Sequence, residues 1–392
     1  MINLRRPYLL VPKLIQQLTW GGDYVVKTKG LENDKNINKF RIGQSYELFS
    51  GTKLLLGNEN IEREAEVGFA EKEATVDGIF SLEQGTNYID LNELVVASPE
   101  EVLGKKIFEK YGKMPLLIKL TQAKGNSFQL HIKPGVKHER WVPKSESWYY
   151  FEKGKLTCGI KRGIPMTDYK NACVEIDRYM QDLGQEVING KETVEEVREK
   201  AKMFIAKIDQ WQFVQTKYAE AGEVFDMSAG GLHHSWEEDL ELPAGNILYE
   251  VQEDRMDPIS TVRAFDQGKI NGDGTMREIN IEDYFQLLDT SQELNERGFE
   301  AKRTNENNVF TTADYAMDVL TIRGGKEEEL GGSFGHFFVK EGGVMIEGGE
   351  GKVKLSKGAS CFVPEIVGNI KIKSETEESV ILKTYIPIND GF

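Results

Sequence analysis

Two hydrophobic periods share this chain. Residues 41–57, RIGQSYELFSGTKLLLG, alternate apolar and polar side chains, which predicts two strands joined by a turn at Ser50-Gly51. LTWGGDYVV, just before it, reads as strand, Gly-Gly turn, strand. Residues 58–80 are acidic and weakly patterned, which reads as a surface insertion. Ser98-Pro99-Glu100-Glu101 has the order of a helix start: cap, proline at the first helical position, acids in the first turn. From Pro115 to Phe151 two apolar strands bracket a polar turn, and a third strand enters at Glu146. At about residue 165 the period lengthens to that of a helix. A helical hairpin is predicted over about 167–210, broken at Asn189-Gly190 and restarted by Lys191-Glu192-Thr193. Strands return over 222–252, and the 276–290 segment ends in a short helix. From about 308 short strands alternate with Gly-rich turns, the rhythm of a small barrel or jelly roll.

Composition narrows the partners. A formal charge of −15 disfavours nucleic acid and anionic membranes, both of which need a cationic surface. A few local Lys and Arg are still enough to bind a small phosphate. Three scattered cysteines without a CxxC pair give neither a disulfide framework nor a thiolate metal site. Pro7 and Pro12 interrupt the first apolar run, and no run reaches the ~20 residues of a membrane span. The expectation is a soluble, cytoplasmic protein.

The candidate chemistry lies between Pro115 and Phe151. Gln129 and His131 are two apart on one predicted strand, so both side chains point to one face. Glu146 comes from the next strand. An amide oxygen, an imidazole and a carboxylate make a mixed N/O site for a divalent cation. His233, in SAGGLHHSW, is the best candidate for the missing ligand.

The order Gln-x-His, Glu, His resembles that of the type I mannose-6-phosphate isomerases of the cupin superfamily. LTWGG, IGQSYELFSG, PLLIKLTQAKGNSFQLHIKPG, KSESWYYFEKGK, SAGGLHHSW, ILYEVQEDRMDPISTVRAFDQGK and MREINIEDYFQLLD resemble family segments, in family order. The departures fall in several places. Against the family's PAGT-x-HA, Ser228 replaces Pro, Gly231 replaces Thr and His234 replaces the final Ala. Two residues, Ile132 and Lys133, separate His131 from Pro134.

The resemblance implies a mainly β fold: two cupin-type β-barrels, or jelly rolls, plus an α-helical subdomain. With the periodicities it divides the chain into a catalytic cupin (1–165 and 211–270), a helical insertion (166–210), a helical connector (271–305) and a C-terminal cupin (306–392). It implies that Gln129, His131, Glu146 and His233 bind one Zn2+ per chain. Arg263 matches the family's active-site arginine, and Lys119 and Lys144 match lysines of which one is a candidate base. His234 falls on the opposite strand face, as a supporting or surface group. The implied reaction interconverts mannose 6-phosphate and fructose 6-phosphate through a cis-enediol. The implied partner is a small sugar phosphate, with the chain a monomer or homodimer. A same-mechanism isomerase for another aldose, and a sugar-binding cupin without turnover, are the alternatives.

Overall fold

The structure, a computed structural model, describes residues 2–17, 20–35, 37, 40–56, 66–69, 87–228, 230–235 and 239–388. It is mainly β and divides into two compact units. Among the described residues no helix is long and apolar enough to cross a membrane.

The first unit comprises Met1–Gln122, Tyr249–Asp254 and Ala301–Phe392. An eight-stranded antiparallel sheet has Ala316–Ile322, Ser379–Tyr385, Gly335–Glu341 and Ser360–Val363 side by side. The N-terminal strand Tyr8–Val11 continues it, pairing with Ser360–Val363 on one side and Lys53–Leu55 on the other. A second antiparallel sheet holds Gly325–Glu329, Asn369–Ser374, Gly343–Gly348 and Gly351–Ser356. Alternation places one face of each strand inward. Leu9, Val11, Leu320, Phe337, Val339, Ile346, Leu355 and Ile372 form one apolar cluster there.

Two sequence expectations need correction or delimiting. Tyr24–Thr28 is a helix, not a strand. The β-branched pair Val25-Val26 favours the strand reading, but the C-terminal cap decides. Gly30, at φ 65°, donates to Lys27 O, and Leu31 donates to Val26 O, which closes the helix as only a left-handed residue can. The 58–80 stretch lies outside the described residues, except for the backbone of Glu66–Phe69, which runs parallel to Lys13–Gln16.

The same helix end carries a buried charge. Lys29 Nζ lies 2.7 Å from Glu47 Oε1 and donates to Gly358 O at 2.8 Å, while Ser360 Oγ donates to Glu47 Oε2 at 2.7 Å. Both charged side chains are buried.

The second unit comprises Ala123–Leu248 and Arg255–Glu300. Its main elements, in chain order, are β1 (Phe128–Leu130), β2 (Glu146–Tyr150), β3 (Gly154–Ile160), α1 (Met166–Ile188), α2 (Val194–Ile208), β4 (Val214–Ala219), β5 (Val224–Asp226), β6 (His233–Ser235), β7 (Val262–Phe265), α3 (Ile281–Leu287) and α4 (Gln292–Arg297). A five-stranded sheet has the order β4-β3-β6-β1-β7, and β2 pairs antiparallel with β5.

One face of the five-stranded sheet lies under the helical hairpin. In α1, Tyr169, Ala172, Cys173, Ile176, Met180 and Leu183 recur at helical spacing and are buried in one cluster with Phe128, Leu130, Val262 and Phe265. Tyr179 and Phe204 stack at 4.1 Å between the helices. The break falls at Asn189-Gly190, and α2 restarts with a capping box, Thr193 with Glu196. Ser98 in the first unit also precedes its helix, Pro99–Leu103, but makes no side-chain cap bond.

Lys29→Met strands the Glu47 carboxylate in an apolar interior, and is expected to cost about 3–5 kcal/mol in urea unfolding. Adding Glu47→Leu is expected to recover part of that loss. A single variant within 1 kcal/mol of the parent would show that the pair is not needed.

Candidate metal centre

Register builds the site. Across the five-stranded sheet Cys158 pairs with His233, His233 with Gln129, and Gln129 with Arg263. Paired residues share a sheet face, so these four side chains stand in a row. β2 supplies Glu146 and Trp148. The Trp148 ring meets the His233 ring edge-on at 5.5 Å. β1 ends at Leu130, one residue before His131, so the strand does not carry both Gln129 and His131 as the sequence spacing implies. His131 is held instead by its ring, whose Nδ1 lies 2.8 Å from Ser260 O.

Both histidines are aimed by backbone carbonyls. His131 Nδ1–H donates to Ser260 O, which turns Nε2 toward Glu146 Oε2, 3.0 Å away. His233 repeats the device: Nδ1 faces Gly231 O at 3.3 Å, and Nε2 faces Gln129 Nε2 at 3.2 Å. An imidazole lone pair and a carboxylate oxygen repel at 3.0 Å unless a proton or a cation lies between them. One ligand atom from each of His131, Glu146 and His233 lies within 4.8 Å of the others, and all three residues are buried. The donor set therefore fits a divalent cation. Gln129 Oε1 accepts from Ser127 Oγ at 2.8 Å. Turning that amide over would present its oxygen inward and its nitrogen to the same hydroxyl, which serves as donor or acceptor.

Charges around the centre are paired, and Lys144, Glu146 and Arg263 are buried while Asp257 reaches solvent. Lys144 Nζ lies 2.9 Å from Glu146 Oε2 and 3.6 Å from Asp257 Oδ1, and Trp148 Nε1 donates to Glu146 Oε1 at 2.8 Å. Burial pushes the Glu146 carboxyl up, but Lys144, then His131 and His233, outweigh it and hold the group well below 4.5. Burial, then the neighbouring His131, lowers His233 to about 3. Arg263 is 7% exposed. Its Nη2 pairs with Asp257 Oδ2 at 3.1 Å and its Nη1 donates to Thr261 O at 3.4 Å, while its buried Nε has no hydrogen-bond partner among the described residues. Burial lowers its proton affinity.

Of the sequence candidates, the structure brings Gln129, His131, Glu146, His233, Lys144 and Arg263 together in the second unit. Lys119 belongs to the first unit, where Nζ lies 2.8 Å from Glu250 Oε1 and 3.2 Å from Gln252 Oε1. His138 caps a turn by accepting from the backbone of Arg140 and Trp141. His336 is buried and bonds Tyr249 OH in the first unit. Asp257, which links Lys144 to Arg263, is absent from the sequence candidates. Its signal is Asp257-Pro258 opening a single helical turn six residues before Arg263.

The departures in SAGGLHHSW are accommodated locally. Ser228 Oγ accepts from Glu146 N at 3.1 Å, clasping the strand that carries the carboxylate. A Cβ at Gly231 would come within 2.4 Å of the Phe299 ring, so any side chain there would displace that ring. His234 is fully buried, not at the surface.

Residues 305–382 match the family described as the mannose-6-phosphate isomerase cupin domain. No curated protein matches the sequence. Among solved structures, a mannose 6-phosphate isomerase from Bacillus subtilis superposes with TM-score 0.62 at 15% identity, over 97% of this chain and 99% of that one. A Salmonella typhimurium mannose 6-phosphate isomerase, bound to fructose 6-phosphate and zinc, gives 0.64 at 12% identity, over 97% and 100%. A protein from Archaeoglobus fulgidus, described as a proposed mannosephosphate isomerase, gives 0.63 at 17%, over 98% of both. At these identities the likeness establishes the fold.

The depressed groups set a pH dependence for the metal-free protein. His233 stays neutral in the fold down to about 3, against 6.5 in the unfolded chain, so the unfolded chain takes up protons first as pH falls. Stability is expected to fall from about pH 6.5 downward, and Glu146, also depressed, adds a loss of the same sign below 4.5. Thermal unfolding in chelator should show this decline, shallower in His233→Gln. An equally steep decline in the variant would remove His233 as its source.

Proposed function

Taking the chain as a cupin-superfamily protein with the type I mannose-6-phosphate isomerase fold, we propose that it is a zinc-dependent isomerase interconverting mannose 6-phosphate and fructose 6-phosphate through a cis-enediol. The observation that carries the reading is the convergence of two carbonyl-aimed imidazoles and Glu146 beside a buried arginine that keeps one donor unused. The fold match to a relative bound to fructose 6-phosphate and zinc supports the choice of substrate.

In this proposal His131, Glu146, His233 and Gln129 hold one Zn2+ per chain. The bound ion would supply Lewis acidity toward the sugar's carbonyl and hydroxyl oxygens. The remaining work falls to side chains. Isomerisation moves a proton between C1 and C2 and builds negative charge on an oxygen. Arg263 offers fixed positive charge and a free Nε–H to an anionic oxygen, in a site where burial strengthens the attraction. Asp257 and Thr261 hold its other nitrogens and so fix the plane of the guanidinium. Lys144 Nζ holds Glu146 in place and carries exchangeable protons at the site. Lys119 enters as a further candidate on the resemblance of its PLLIK segment alone.

A second reading, a same-mechanism isomerase acting on another aldose or aldose phosphate, draws on the altered loop. The Phe299 ring packs against Gly231, where the family pattern has Thr.

The zinc-loaded protein is expected to convert fructose 6-phosphate to mannose 6-phosphate, and chelator should abolish turnover. Arg263→Ala should lower kcat/KM by roughly 10²-fold or more while keeping the metal. His233→Ala should lose the metal. Turnover indifferent to chelator, or untouched by Arg263→Ala, would sink the mechanism. Turnover only with another aldose would select the second reading.

A further inference from the structure

His234 has no part in the proposed chemistry, yet it is fully buried and closely bonded. Neighbours on a strand face opposite ways, so His234 stands behind His233. Behind the row of Cys158, His233, Gln129 and Arg263 lies a second row: Thr157, paired with His234, and Phe128, paired with Phe265. The His234 ring meets Phe128 edge-on at 4.8 Å and lies tilted against Trp211 at 5.4 Å.

Its two nitrogens tie separate elements together. Nδ1 is 3.1 Å from Thr157 Oγ1 on β3, and Nε2 is 2.6 Å from Gln267 Nε2, just past β7. The Gln267 amide also donates to Asn126 O at 2.5 Å, just before β1. Asn126 in turn accepts from Ser235 N on β6 at 2.6 Å. An amide nitrogen has two hydrogens, one for Asn126 O and one for His234. His234 Nε2 is then the acceptor, and Nδ1–H donates to Thr157. Gln267 sits at φ 56°, in the left-handed region that a residue with a side chain occupies at a cost. The two bonds from its amide compensate for that cost.

This stitching answers a weakness in the sheet. β1 and β6 have three residues each, and His233 with Gln129 is the registered pair between them. So short a ladder leaves the relative placement of two metal-facing side chains poorly constrained. We infer that His234 and Gln267 form a positioning clamp that locks β6, β1 and the end of β7 together, and thereby fixes the spacing of Gln129, His233 and Arg263 at the metal centre. The inference rests on the metal-binding reading of that centre. It also gives a use to the histidine that stands where the family pattern has alanine.

The test measures Zn2+ affinity by chelator competition and the visible absorption of the Co2+-loaded protein, whose bands report ligand geometry. His234→Phe keeps the packing on Phe128 and Trp211 but removes both hydrogen bonds. Gln267→Gly removes the amide while easing the backbone, so its thermal midpoint should hold. Each is expected to weaken Zn2+ binding roughly tenfold and to shift the Co2+ bands. The double variant should resemble either single one, because the two residues act as a unit. Wild-type affinity and Co2+ spectrum in a folded Gln267→Gly protein would overturn the clamp, even if His234→Phe did not fold. His233→Ala separates the two ideas: if it binds Zn2+ as tightly as the parent, the metal centre itself is wrong and the clamp falls with it.

Discussion

The second unit depends on where two imidazole protons are. Ser260 O and Gly231 O each take an Nδ1–H, and each bond turns an Nε2 lone pair toward the interior. Once both lone pairs face one point beside Glu146, three donor atoms converge on it. A buried site of that kind is unfavourable empty and favourable with a cation, because low polarity magnifies both terms. The surrounding groups follow from this. Lys144 and Trp148 restrain the carboxylate, Ser228 holds its backbone, and Asp257 joins Lys144 to Arg263.

The sheet serves both sides at once. Its inner face carries the row of His233, Gln129 and Arg263, and its outer face is covered by α1 and α2 through an apolar cluster. Residues next to each other in sequence therefore do different work. Phe128 and Leu130 anchor β1 under the helices, while Gln129 between them faces the candidate metal centre beside His233. A one-residue slip would exchange these roles, so the hydrophobic cluster enforces the register on which the centre relies.

The loop's departures from the family pattern each have a local partner. In place of proline, Ser228 hydrogen-bonds the strand that carries Glu146. Threonine gives way to Gly231, whose missing side chain makes room for Phe299. Alanine gives way to His234, which fills the space between Phe128 and Trp211 and bonds Gln267. His233, between these positions, faces the Gly231 backbone carbonyl with its Nδ1.

Much of this protein is legible in its residues alone. The order of Gln129, His131, Glu146 and His233 points to one centre through its resemblance to a family, while period-two alternation marks the strands and the longer period marks α1 and α2. These are local signals: a side chain's face depends on its own strand, and a capping box spans four residues. Local pattern misassigns Tyr24–Thr28, where β-branching outweighs a helix end fixed by Gly30. It leaves His234 free to lie at the surface and passes over Asp257, whose partners lie six residues and more than a hundred residues away. It holds no sign of Tyr8–Val11 paired with Ser360–Val363. Residue types and local periods are written along the chain, whereas pairing between distant segments, the proton position on each imidazole and the burial of each charge arise from contacts formed in three dimensions.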